Sequence, residues 1–153
     1  PGITADNVLW KQSPRNRRIA ETLTRCGLVE RSGQGVNRMF EVTIQEGKRK
    51  PDYTGTDEFQ VALALHGDIQ DSRFLQFLEK SSRETGVQFD LNDLLVIDYI
   101  HREQHIPDEL MDRVPRLRDL GVVEARGKSK GVRYLLSRRF YEFIGQPGTH
   151  TQR

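Results

Sequence analysis

Pro14-Arg15-Asn16-Arg17-Arg18-Ile19-Ala20, followed by Cys26-Gly27-Leu28-Val29-Glu30-Arg31-Ser32-Gly33-Gln34-Gly35-Val36, decides how this chain is read. A proline ahead of helix-forming residues stiffens a helix entry near Arg15 or Asn16. Ile19, Ala20, Leu23 and Cys26 then recur at the i, i+1, i+4, i+7 spacing of one helical face. Gly27 is placed to stop that helix in the left-handed region, which a residue without Cβ enters without a clash. Gly33-Gln34-Gly35 opens a second helix, where Val36, Met39, Phe40, Thr43 and Ile44 keep the 3.6-residue period up to Gly47. Cys26 lies in register with the apolar positions, so a buried, inert thiol is expected. As the single cysteine of the chain it forms no internal disulfide, which fits a cytoplasmic location.

Further along, Phe59, Val61, Leu63 and Leu65 alternate with smaller or polar residues, predicting one strand with a buried face. This closes a first α+β unit, residues 1–66. Gly67 to Asp71 is a polar joint, and a second unit spans 67–153. Within it the apolar spacing predicts a helix from Ser72 to Glu84, with Gly86 at its exit. A central core helix follows from Leu91 to Glu103, with Asp90 as N-cap. Leu110, Met111, Val114 and Leu117 mark further helical turns, and Pro115 predicts two short pieces joined near Val114. Val122-Val123-Glu124-Ala125 and Val132-Arg133-Tyr134-Leu135-Leu136 read as strands around the polar turn Arg126 to Gly131. Helices capped by a hairpin with a basic tip are the outline of a winged helix. The expected fold class is therefore α+β, a first α+β unit followed by a winged-helix domain.

The motifs resemble a known family. The R-N-x-x-I/L-A helix at Arg15 to Ala20, the G-L-V-E exit at Gly27 to Glu30 and the Gly33-Gln34-Gly35 element are similar to the C-terminal region of RecG-related ATP-dependent DNA helicase proteins of the Schlafen/AlbA-like type. Leu117 to Glu124 resembles a winged-helix junction. Tyr134 to Ser137, with Arg138 to Gly145 after it, resembles the strand and short aromatic helix that follow in the same family. Pro1-Gly2 resembles the tail of an N-P-G motif, which implies a chain beginning inside a domain whose missing N-terminal part is its partner. The resemblance makes the first unit an incomplete ATPase-like α+β unit, truncated at its N-terminus, and Gly33 and Gly35 the remnant of a nucleotide-binding glycine box. ATP and magnesium are then cofactors expected of the parent protein and not of this segment. A P-loop pattern, G-x-x-x-x-G-K-S/T, is absent, so no helicase motor of that kind is encoded here.

Charge supplies the remaining signal. The net charge is only +2, but residues 68–120 carry 7 Lys/Arg against 12 Asp/Glu, and residues 121–153 carry 7 against 2. A basic segment beside an acidic one favours a polyanionic partner at one place on the surface. Arg126, Lys128, Lys130 and Arg133 on the hairpin are candidate contacts to double-stranded DNA phosphates, backed by Arg138 and Arg139. Arg116 and Arg118 are candidates on the short helix where a recognition helix would lie, although Asp108, Glu109, Asp112 and Asp119 interleave with them. No catalytic constellation and no metal-ligand spacing emerges, His101 and His105 included. No run reaches the roughly 18 apolar residues of a membrane helix. The sequence thus predicts a nucleic-acid-binding or transcription-regulating region. A protein-interaction or dimerisation module, a homo-oligomer among its forms, and a fragment of an ATP-binding enzyme are the alternatives.

Overall fold

The computed structural model describes residues 3–5, 7–14, 16–29, 33–57, 59–127 and 132–141. Two compact units, Pro1–Gln70 and Asp71–Arg153, divide the chain. Among the described residues there are five α-helices and one two-stranded antiparallel sheet, an α+β fold.

In the first unit, α1 spans Arg17–Arg25 and begins as its sequence requires. The Asn16 side chain accepts the Ile19 backbone N–H at 3.1 Å, satisfying one of the amides that the first turn leaves without a partner. Gly27 has φ +68°, the left-handed stop predicted for it. Helix α2, Gln34–Gln45, follows and buries Phe40 and Ile44. Phe40 lies parallel to Tyr53 with ring centroids 6.5 Å apart, and this pair with Ile44 forms the unit's small core.

Two expectations for this unit are corrected. Cys26 is exposed, because it caps α1 and that helix has no buried residue at all. An amphipathic period orders a face but does not supply the element that covers it. The predicted strand at 59–65 is also missing. Its residues make one isolated antiparallel bridge, Ala64 to Asp52, through a pair of bonds of 2.9 and 3.0 Å. Phe59 is 82% exposed and Val61 76%. A strand exists only as part of a backbone ladder. Beyond that bridge, Ala62 exchanges bonds with the Thr56 hydroxyl and the Gln60 carbonyl accepts the Asp57 N–H, which close a turn without extending a ladder.

The second unit is built around α4, Leu91–His101, where Leu94, Leu95, Val96, Ile97 and Ile100 are all buried. Asp90 and Asp93 form a reciprocal capping box at its start. Helix α3, Ser72–Thr85, is capped by Asp71, whose carboxylate accepts the N–H groups of Arg73 and Phe74 at 2.8 and 3.1 Å. It ends at Gly86 with φ +67°. A 3-10 turn, Asp108–Leu110, precedes α5, Arg113–Asp119. The join therefore falls at Met111 and Asp112, ahead of the predicted position. Pro115 sits in the first turn of α5, where its missing N–H has no intrahelical acceptor to lose.

Leu117 and Val114 anchor α5 in the core, and Gly121, φ +69°, turns the chain sharply out of it. Val122 donates back to the Leu117 carbonyl at 3.0 Å. Strand β1, Val123–Arg126, then pairs with β2, Arg133–Leu136, in the register Val123 opposite Leu136 and Arg126 opposite Arg133. A second 3-10 turn, Arg138–Phe140, returns the chain onto α3. Phe140 meets Phe77 edge-on at 5.6 Å, and the Lys80 ammonium donates to the Arg139 carbonyl at 3.0 Å. The predicted continuation of this turn to Gly145 lies outside the described residues.

Candidate nucleic-acid interface

The hairpin fixes which of its side chains share a face. Directly opposed residues of an antiparallel pair project to the same side, and the side alternates along the strand. Val123 and Leu136 lie on one side with Ala125 and Tyr134, and Val123 is fully buried there. Glu124, Leu135, Arg126 and Arg133 occupy the other side. Arg126 and Arg133 are thus face-to-face neighbours at the end of the ladder nearest the connecting loop, both exposed. Neither makes an ion pair among the described residues. Glu124, the acid nearest in register, accepts a hydrogen bond from the Ser137 hydroxyl at 2.7 Å. Lys128 and Lys130 lie outside the described residues.

Arg138 joins this side through a cleft of about 250 Å³ lined by Arg126, Arg138, Glu124, Leu135, His101 and Tyr141. Arg139, its neighbour in sequence, is engaged elsewhere. Its guanidinium binds Glu84 at 2.9 Å and lies 5.4 Å from the Phe140 ring centre.

The helix arginines have a different fate. The Arg116 guanidinium binds the fully buried Asp93 carboxylate, and that hydrogen bond raises its pKa above the ordinary guanidinium value. Arg113 reaches Asp90 at 3.1 Å and stands 4.0 Å from the second Asp93 oxygen. Both cations thus hold the start of α5 against the start of α4. Arg118 is exposed, with Asp119 beside it and Asp112 across the helix start, also exposed.

One constellation had no sequence signal. His101 Nε2 lies 3.0 Å from Asp71 Oδ2, and the Tyr141 hydroxyl lies 3.2 Å from His101 Nδ1. A carboxylate only accepts, so the ring donates from Nε2, and in the neutral ring Nδ1 accepts a hydrogen bond from the tyrosine hydroxyl. Phe74 stacks on the imidazole at 4.3 Å, and Phe77 stacks on Tyr141 at 4.9 Å. The three polar residues are 30 and 40 positions apart, and no motif links such distances. Burial pushes the Asp71 carboxyl up, but the Phe74 and Arg73 amides and His101 outweigh it and leave the pKa lowered. Burial, aided by the Asp71 charge, pushes Tyr141 up to about 12 from 10.0.

A raised phenol pKa means that the fold favours the protonated ring. Its stabilisation is complete below pH 10.0, the unperturbed value, and is lost as pH climbs through about 12. Denaturant titrations on either side of pH 10 are expected to show stability falling with alkali. Tyr141→Phe should flatten that fall, and an unchanged alkaline limb would place its cause at other groups.

Of the two glycines of the G-x-G element, Gly33 lies at the helix entry. Gly33 stands just ahead of α2 with φ +68°, and a Cβ there would come within 2.8 Å of the Gln12 side-chain amide. Gly35 lies inside the helix, where a Cβ would meet nothing within 4 Å. Among the described residues no three His, Cys, Asp or Glu side chains gather as a metal site, and no helix is long and apolar enough to cross a membrane.

Comparison with known proteins bears on both units. The family described as "Putative ATP-dependent DNA helicase recG C-terminal" matches residues 1–63. No curated protein matches the chain. Among solved structures, the DIP2311 protein from Corynebacterium diphtheriae is similar over 92% of this chain, with a TM-score of 0.63 and 21% identity. At that identity the likeness concerns the fold. The chain spans 32% of the length of that protein. The resemblance carried by Asn16, Gly27, Gly33 and Gly35 is thereby shown where those residues lie, and residues 1–63 match the recG C-terminal family.

Proposed function

We propose that the chain is the nucleic-acid-binding and regulatory part of a RecG-related protein, with its second unit acting as a winged helix. On this reading, the hairpin holds the phosphates of duplex DNA between Arg126 and Arg133, with Arg138 beside them and Lys128 and Lys130 as further candidate contacts by sequence. The observation that supports it most is the direct opposition of two exposed arginines with no acidic partner among the described residues. Like charges opposed across a ladder repel, and a phosphate between them turns that repulsion into two attractions.

The test is fluorescence anisotropy of the full chain with a labelled duplex across a salt series. Affinity near 10⁻⁴ to 10⁻⁶ M at physiological salt is expected for a few phosphate contacts, roughly the non-specific range. Arg126→Gln with Arg133→Gln should weaken binding and reduce the slope of log affinity against log salt by about 2, near 0.9 for each contact. A parent chain that binds no duplex even at low salt would remove this reading. The exposed apolar residues Phe59, Val61, Leu63 and Leu65 would then favour a protein-interaction role.

A further inference from the structure

We infer that this chain holds DNA by its backbone alone, through the hairpin, and that α5 does not read bases. The inference rests on the DNA-binding reading above and specifies its mode.

A helix that reads the major groove must bring free donors and a non-repelling surface to the base edges. Helix α5 offers one such donor, Arg118, and no such surface. Of its three arginines, Arg116 is bound to Asp93 and Arg113 to Asp90, so moving either toward a base would strip a partner from the capping box of α4. Asp93 is 0% exposed, and one of its oxygens has no hydrogen-bond partner even with both arginines in place. Withdrawing a cation from such a group leaves a buried charge uncompensated, which a single base contact would not offset. What remains outward on the 3-10 turn and α5 is Arg118 against exposed Asp108, Glu109, Asp112 and Asp119. That surface repels phosphate.

The hairpin has the opposite character. Arg126, Arg133 and Arg138 are exposed and make no ion pairs among the described residues, and Arg126 and Arg138 share one cleft. Three arginines without an ion pair among the described residues thus share the hairpin side, while two of the three on α5 are tied to Asp90 and Asp93. Contacts to phosphate fix position without carrying sequence information. The partner is accordingly any duplex of sufficient length, and its sequence is immaterial.

Selection of bound duplexes from a random pool by the full chain tests this without altering the protein. The expected result is a recovered pool with no consensus, whose members bind within about threefold of one another; each mismatch in a base-read site would instead cost roughly tenfold. A consensus bound tenfold or more tightly would overturn the backbone-only mode and leave DNA binding itself standing. Absence of any duplex binding would sink both. As a second arm, Asp112→Asn with Asp119→Asn should change affinity less than about threefold at physiological salt, because charges beyond a Debye length of about 8 Å from phosphate are screened. A tenfold gain would place α5 against the DNA and defeat the inference.

Discussion

Phe77→Ala is expected to destabilise the second unit by about 3–5 kcal/mol, the range for removing a buried aromatic from a packed core. Phe77 is 0% exposed and lies where three contacts converge. It packs edge-on against Phe140, parallel to Tyr141 and within the apolar side of α3. The change therefore opens a cavity and also loosens the 3-10 turn that returns the chain from β2 to α3. Denaturant unfolding should show a lower midpoint. Near-ultraviolet circular dichroism should lose the aromatic signal of Tyr141 before the helices melt. A cost below about 1 kcal/mol would mean that Phe140 collapses into the space and that the site is not close-packed.

Asp93→Ala should cost about 2–3 kcal/mol, combining a lost helix cap with lost hydrogen bonds to a charged group. The carboxylate has two tasks. It accepts the Asp90 backbone N–H at 3.3 Å to close the capping box, and it binds Arg116 across 23 residues of sequence. Asp93→Asn separates them, since an amide oxygen still accepts the backbone N–H but offers no charge. The asparagine variant is expected to recover the capping share alone, as read by denaturant unfolding. If asparagine behaves as well as aspartate, the tie to Arg116 contributes nothing to stability, and the argument that α5 is held in place by it fails.

What could be read from sequence divides along a physical line. Asp90, Gly27 and Gly86 act on amides or dihedral angles within a few positions of themselves. Their caps and stops follow from local chemistry, and each is found where expected. The α4 core was legible because nearly its whole girth is apolar. Residues 59–65 were misread because alternation describes sidedness, whereas a strand needs a neighbour, which the periodicity does not identify. Cys26 failed for the same reason one level higher. Its helical face was found, but the presence of a covering element is a tertiary fact. In the candidate interface, Arg126 and Arg133 could be placed on a hairpin, but their direct opposition required the register. That Arg116 belongs to Asp93 was invisible, because charged residues on two helices give no sign of which will meet.

The opposed pair Arg126 and Arg133 has a consequence for the behaviour of the molecule in salt. Two cations held side by side on a short ladder press its strands apart, and added electrolyte relieves that pressure. Raising ionic strength should therefore slow amide exchange in β1 and β2 while it weakens attraction to any polyanion. The hairpin is at its least settled in dilute buffer, the very condition in which it draws an anion most strongly.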